Sequence, residues 1–289
     1  MSLIVGLIIV LGAMLTGYLM EGGSIGPLLQ IAEFIIIGGA AFGAVIIGNG
    51  FVGVQKVLTG IQTMLKPREF NQSKYLEQLE MLYAIFDLAR REGVLVLEQH
   101  TDNPANSEIF KRFPGISENP RTISFICDSL RMIVVGGVAD TEIAKLMDDD
   151  LDIMDEEAMI PSTILSTVGD SLPGYGIVAA VLGIVITMQA IGGPPETIGH
   201  KVAAALVGTF LGVLLAYGVA NPMAKNLENQ AREQDIYLRV IRYALDAFAH
   251  GYAAKNCIEI ARRHIPPRFR PSFDDMDKLL SAKGTSATG

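Results

Sequence analysis

The sequence of 289 residues contains no tryptophan and only two cysteines, Cys127 and Cys257. Two thiols cannot make the disulfide framework on which small secreted domains rely. Both fall in stretches expected to face the cytoplasm, so each is expected to be reduced, buried and inert. No Lys or Arg precedes the apolar run at the N-terminus and no small-residue cleavage site follows it, so the run is expected to be a retained span rather than a secretory signal. The four histidines are scattered, no cluster has metal-ligand spacing and no glycine-rich phosphate loop is present. No enzyme chemistry, metal or bound cofactor is expected.

What the chain does have is apolar length, with half of its residues hydrophobic. Four stretches reach the roughly 20 residues that a hydrocarbon core requires: residues 3–20, 31–52, 172–192 and 202–220. Basic residues orient them, since Lys and Arg near span ends stay on the cytoplasmic side. Residues 53–171 and the tail from 221 hold 11 basic residues each, whereas connections 21–30 and 193–200 hold none. Both termini and the long loop are therefore expected in the cytoplasm, and the two short connections outside.

This divides the chain into a first hairpin (1–52), a helical loop domain (53–170), a second hairpin (171–222) and a C-terminal helical segment with a flexible tail (223–289). In the loop, Leu76, Leu79, Leu82, Tyr83, Phe86 and Ala89 recur at helical spacing, as do Ile123, Ile126, Leu130, Ile133 and Val134. Asn103-Pro104 and Asn119-Pro120 punctuate these helices. No alternating strand pattern competes, so the fold class is an all-α membrane protein: four transmembrane helices with a helical cytoplasmic domain built from loop and tail. The third span begins without a break after Pro161, and the fourth runs on into Met223 to Tyr243. The loop from 52 to 166 carries 19 acids against 11 bases, and the tail carries 8 acids against 11 bases, so the two are expected to pack together. The run Asp148, Asp149, Asp150, Asp152 and Asp155 reads more simply as a solvated helix face. The Gly-, Ser- and Thr-rich end of the tail reads as disordered.

The spans carry no ionisable residue at mid-depth; Glu33, Asp170 and Lys201 fall at the calculated edges, as interfacial anchors or as transport groups. A protein that relays protons needs a group that binds them inside the membrane, so if this chain moves ions the carboxylate is expected from a partner chain. Three of the spans are rich in small residues: Gly38, Gly39, Ala40, Ala41, Gly43 and Ala44; Gly176, Ala179, Ala180 and Gly183; Ala203, Ala204, Ala205, Gly208 and Gly212. They allow close helix contact, either with a partner or within one subunit. Pro173 and Pro222 lie near the same cytoplasmic mouth, as hinges or as helix punctuation. Thr209 lies 13 residues from Pro222, about 20 Å at the helical rise.

The string Val168-Gly-Asp-Ser-Leu-Pro-Gly-Tyr-Gly-Ile-Val-Ala-Ala180, with Val207-Gly-Thr-Phe-Leu-Gly-Val-Leu-Leu-Ala-Tyr-Gly218 and Asn221-Pro222, resembles the MotA family of flagellar stator proteins. Arg90 to Glu98, Asn103 to Phe110 and Arg270 to Phe273 extend the resemblance over almost the whole chain. It implies a homo-oligomer, a pentamer, around a MotB dimer that supplies the proton-binding aspartate. It further implies that Pro173 and Pro222 are hinges at the proton exit and that Ala180 and Thr209 line the ion path. Sodium-driven relatives place Thr where Ala180 stands, so the resemblance leans toward protons, although Thr187 lies at about the depth of Thr209. It also implies that Arg90 and Glu98 engage the rotor protein FliG; on one helix they would stand about 80° apart in azimuth, unless Gly93 interrupts it. The alternative is an ExbB or TolQ type energiser, which shares the core architecture but typically has three spans.

Overall fold

Runs of Leu, Ile, Val, Ala and Gly uninterrupted by charge give the long helices of this computed structural model, which describes residues 2–66, 70–189, 192 and 194–277. Expectations for the Gly-, Ser- and Thr-rich end from residue 278 onward lie outside the described residues. The apolar helices are α1 (Ser2–Met20) and α2 (Ile31–Met64). Between α2 and the next apolar helix come α3 (Gln72–Glu92), α4 (Glu98–Asp102), α5 (Pro114–Ser117) and α6 (Pro120–Val135). The second apolar pair lies in α7 (Asp140–Met188) and α8 (Pro195–Leu214), followed by α9 (Asn221–Ala249) and α10 (Ala254–His264). No strand occurs among the described residues, and four helices are long and apolar enough to cross a membrane. The all-α class and the four spans are as read from the sequence.

The helices run past the apolar stretches. α2 ends at Met64 rather than near residue 52, and the third span is the distal part of a helix that starts at Asp140. In α2 the regular backbone fails at Gly50, with φ 63° and ψ −171°, a conformation that glycine alone adopts at little cost.

The chain forms two compact units. One comprises residues 1–67 and 157–231, the other residues 68–156 and 232–289. In the first, the distal end of α2 packs on α7 and α9. A Cβ on Gly60 would come 3.2 Å from both Leu227 and Pro161, Ser162 donates to the Ala224 carbonyl at 2.8 Å, and Lys56 pairs with Glu157 at 3.3 Å.

The second unit has its own core, in which Leu79, Leu82, Phe86, Ala89, Ile126, Leu130, Ile241 and Leu245 are buried together. Those from α3 and α6 are residues of the two helical periodicities. Turn chemistry also falls as expected: Asn119 caps α6, accepting from the Thr122 N–H at 3.3 Å, with Pro120 in the first turn. Oppositely charged loop and tail meet directly. Arg242 bonds Asp148 at 2.7 Å and Arg239 bonds Asp152 at 2.8 Å, so those two acids are ion-paired rather than simply solvated. Cys127 and Cys257 are buried free thiols. Burial pushes both up to about 11, which leaves little thiolate at neutral pH.

Candidate functional site

The site-bearing part of the first unit is the seam between α7 and α8. Small residues at three- and four-residue spacing put two glycine-lined faces opposite each other. A Cβ on Gly176 would come 2.6 Å from the Gly208 carbonyl oxygen, one on Gly212 would come 2.6 Å from the Leu172 carbonyl, and one on Gly183 would come 2.8 Å from the Ala205 Cβ. Real Cβ atoms do not approach that closely, so any larger residue would force the helices apart. These glycines therefore serve packing within one subunit. Gly38, Gly39 and Gly43 of α2 face open space, and the apolar surface of Ile177, Val178, Val181, Leu182, Ile184 and Val185 is exposed, leaving room for neighbours of the kind expected.

The proposed ion-path residues distribute along this seam. Ala180 is buried, and its backbone nitrogen lies 3.1 Å from where a Gly208 Cβ would sit. Thr209, next to Gly208, is half-buried. Thr187 is buried, and its hydroxyl donates to the Gly183 carbonyl at 2.8 Å, so its proton is taken up by its own helix. Pro173 sits inside the unbroken α7. Without an N–H it leaves the Gly169 carbonyl, one turn earlier, without its helical donor.

Around Pro222 the backbone does something the residue types do not announce. Leu215–Ala220 is a π-helical turn, closed by an N–H of Asn221 that reaches back to the Ala216 carbonyl, and Pro222 follows at once in the first turn of α9. Wider turns of this kind mark functional irregularities in helices. The Asn221 side chain abuts Gly169 and donates to Asp170 at 3.2 Å. The two proline-bearing segments are thereby tied together. Asp170 is thus a partner of Asn221 rather than only an edge charge.

Of the two readings of Glu33, anchor or transport group, burial argues against a water-facing anchor: it is 6% exposed, its carboxylate oxygen Oε2 lacks a hydrogen-bond partner among the described residues, and that oxygen lies 2.6 Å from the position a Gly208 Cβ would take. Counting depth along the helix could not reveal this, because the direction of a side chain in azimuth decides whether it meets water or protein.

In the second unit, Arg90 and Glu98 are both exposed, but they do not share a helix. α3 ends at Glu92, Gly93 takes φ 89°, and a short 3-10 turn over Val94–Leu97 precedes Glu98. The single-helix geometry therefore does not apply. The same break exposes Val94 and Leu95, 41% and 68%, so the two charges flank an apolar tip that charge reading alone missed.

Comparison with known proteins agrees with this architecture. A family model described as "Motility protein A N-terminal" matches residues 4–93, and one described as "MotA/TolQ/ExbB proton channel family" matches residues 119–239. Motility protein A of Salmonella typhimurium is 36% identical over 98% of this chain and 96% of its own length. Among solved structures, MotAB of C. jejuni superposes with a TM-score of 0.75 at 21% identity, covering 94% of this chain and 98% of the other. The flagellar MotAB stator complex of Bacillus subtilis superposes with a TM-score of 0.73 at 22% identity, covering 96% and 98%.

Proposed function

Because the chain belongs to the motility protein A family, we propose that it works as the ring-forming subunit of a proton-driven stator whose moving charge is supplied by a second chain. It is a flagellar stator subunit of the proton-channel type, and its companion is a MotB protein. The reading of the ion path rests on one observation above all: a glycine seam between α7 and α8 that ends at two prolines tied through Asp170 and Asn221.

In this reading several copies, a pentamer, surround the paired MotB helices in the bacterial inner membrane, with both termini in the cytoplasm. An ionised carboxylate against this apolar wall is costly, whereas a protonated one is not. Protonation of the MotB aspartate by water on the outer side removes that barrier, and its helix shifts past Ala180 and Thr209. Release near Pro173 and Pro222 restores the charge and completes a step of the ring. A proton falling through 100 mV supplies about 2.3 kcal/mol, enough to bias two packed arrangements and too little to unfold either. Arg90 and Glu98, with Val94 and Leu95 between them, deliver the step to FliG.

The ExbB or TolQ alternative is not favoured: the N-terminal match at residues 4–93 is to motility protein A, and four of the described helices are long and apolar enough to cross a membrane. The test is complementation. Cells lacking their own stator should swim when this chain and its MotB partner are supplied together, and neither alone should restore motility.

A further inference from the structure

We propose that Glu33 is a second protonatable site, one in each subunit, that stages protons on the outer side of the ion path before they reach the partner's carboxylate. The inference rests on the stator reading above and adds to it a group in this chain.

Three observations carry it. The Glu33 side chain is more than nine-tenths buried, with 6% exposure, and Oε2 has no hydrogen-bond partner among the described residues. A leucine or methionine would fill that space without leaving a polar atom unpaired, so a carboxyl kept there at a cost points to use rather than packing. The carboxyl also has a place made for it: Gly208 is the residue opposite, and any Cβ there would sit 2.6 Å from Oε2 and 3.1 Å from both the Ala179 Cβ and the Ala180 nitrogen. The carboxyl thus reaches the wall that Ala180 and Thr209 are proposed to line. Its position along the chain is the third. Glu33 lies in the first turn of α2, next to the connection expected outside, and Gly208 is two turns, about 10 Å, inward of Lys201 along α8.

Among the described residues the surrounding elements bring no counter-charge to it. α7 presents Ala179 and Ala180, and α8 presents Gly208. The nearest titratable groups along them are Tyr175, one turn toward the cytoplasm, and Lys201, two turns outward; Tyr18 and Glu21 close the first span and are exposed. In the proposed cycle the group starts with its proton on. It gives its proton through water or the Thr209 hydroxyl to the partner's carboxylate, one O–H bond breaking as another forms. The buried carboxylate left behind is unpaired, which is unfavourable, and it takes a proton back from water on the outer side. A site of this kind matters most when protons outside are scarce.

The experiment uses stator-less cells supplied with the partner and either this chain, Glu33→Gln or Glu33→Met, with swimming speed followed against external pH. The stator reading fails if the unaltered chain does not restore swimming. The staging site predicts that both variants accumulate with the partner, match the unaltered chain at acid external pH and lose speed as the medium is made alkaline. Identical curves would overturn it, and so would an equal slowing at every pH, which is the mark of a packing role. Should the variants not accumulate, the unaltered complex is treated with dicyclohexylcarbodiimide, which adds to a protonated carboxyl in an apolar site without loss of atoms. Mass spectrometry finding the adduct on Glu33 supports the proposal, and an unmodified Glu33 overturns it.

Discussion

Asn221 donates a hydrogen bond to Asp170 at 3.2 Å, and this one contact links the two segments in which Pro173 and Pro222 interrupt the helical hydrogen-bond ladder. Asp170 stands three residues before Pro173, and Asn221 immediately precedes Pro222. The π-helical turn over Leu215–Ala220 adds a third irregularity at the same place. Under the proposed function, this contact is the route by which movement at one proline would reach the other.

Asn221→Ala removes the donor and is expected to cost about 1 kcal/mol. The complex should still assemble, and tethered-cell torque should fall. Pro173→Leu restores a backbone donor and should abolish torque while leaving membrane levels unchanged. Unaltered torque in both variants would show the two prolines to be helix punctuation only.

The seam makes a contrast between glycines that look alike in sequence. A methyl group on Gly176 would meet backbone at 2.6 Å, whereas Gly38 has nothing within 4 Å. Gly176→Ala is expected to destabilise the packed pair by about 1–3 kcal/mol and to lower membrane levels in an immunoblot. Gly38→Ala should leave both level and motility unchanged as far as its own subunit is concerned, so any defect there reports a neighbouring helix.

At the exposed tip, Arg90→Glu should leave the complex assembled and conducting yet stop rotation. Glu98→Lys should weaken rotation in the same way, and Leu95→Asp, placed on the apolar surface between them, should do so as well. Bead assays of rotation beside proton-uptake measurements separate loss of rotor engagement from loss of ion flow.

Acid should loosen the second unit through Glu259. Its carboxylate accepts hydrogen bonds from Arg262 at 2.7 and 2.8 Å and from Arg263 at 2.9 Å, and these hold it down at about 2. Because the folded value lies below the ordinary one of 4.5, the stabilisation is complete above that value and is lost as pH falls through 2. Glu259→Gln should lower stability at neutral pH by about 1 kcal/mol or less, the pair being partly exposed, and should flatten that acid dependence in thermal unfolding of the purified complex.

Much of this was legible because the signals were one-dimensional. Hydropathy located the spans, the 3.6-residue period picked out Leu79, Leu82 and Phe86 as core, and net charge foretold that loop and tail would meet, as Arg242 and Asp148 do. What escaped depends on direction or on backbone register. Glu33 was placed by its depth, but its burial follows from which way it points around α2. The π-helical turn has no residue-type signature, since it is a shift in which carbonyl each N–H finds. Asp148 and Asp152 looked solvated because their arginine partners stand 94 and 87 residues away, beyond any local pattern.

The central claim is that this subunit moves no protons unless a second chain brings its acid into the ring. Proton uptake into vesicles holding the purified subunit, with and without the MotB partner, tests it most directly. Flux is expected only with the partner present and only while its membrane aspartate is intact; flux through the subunit alone would contradict the account.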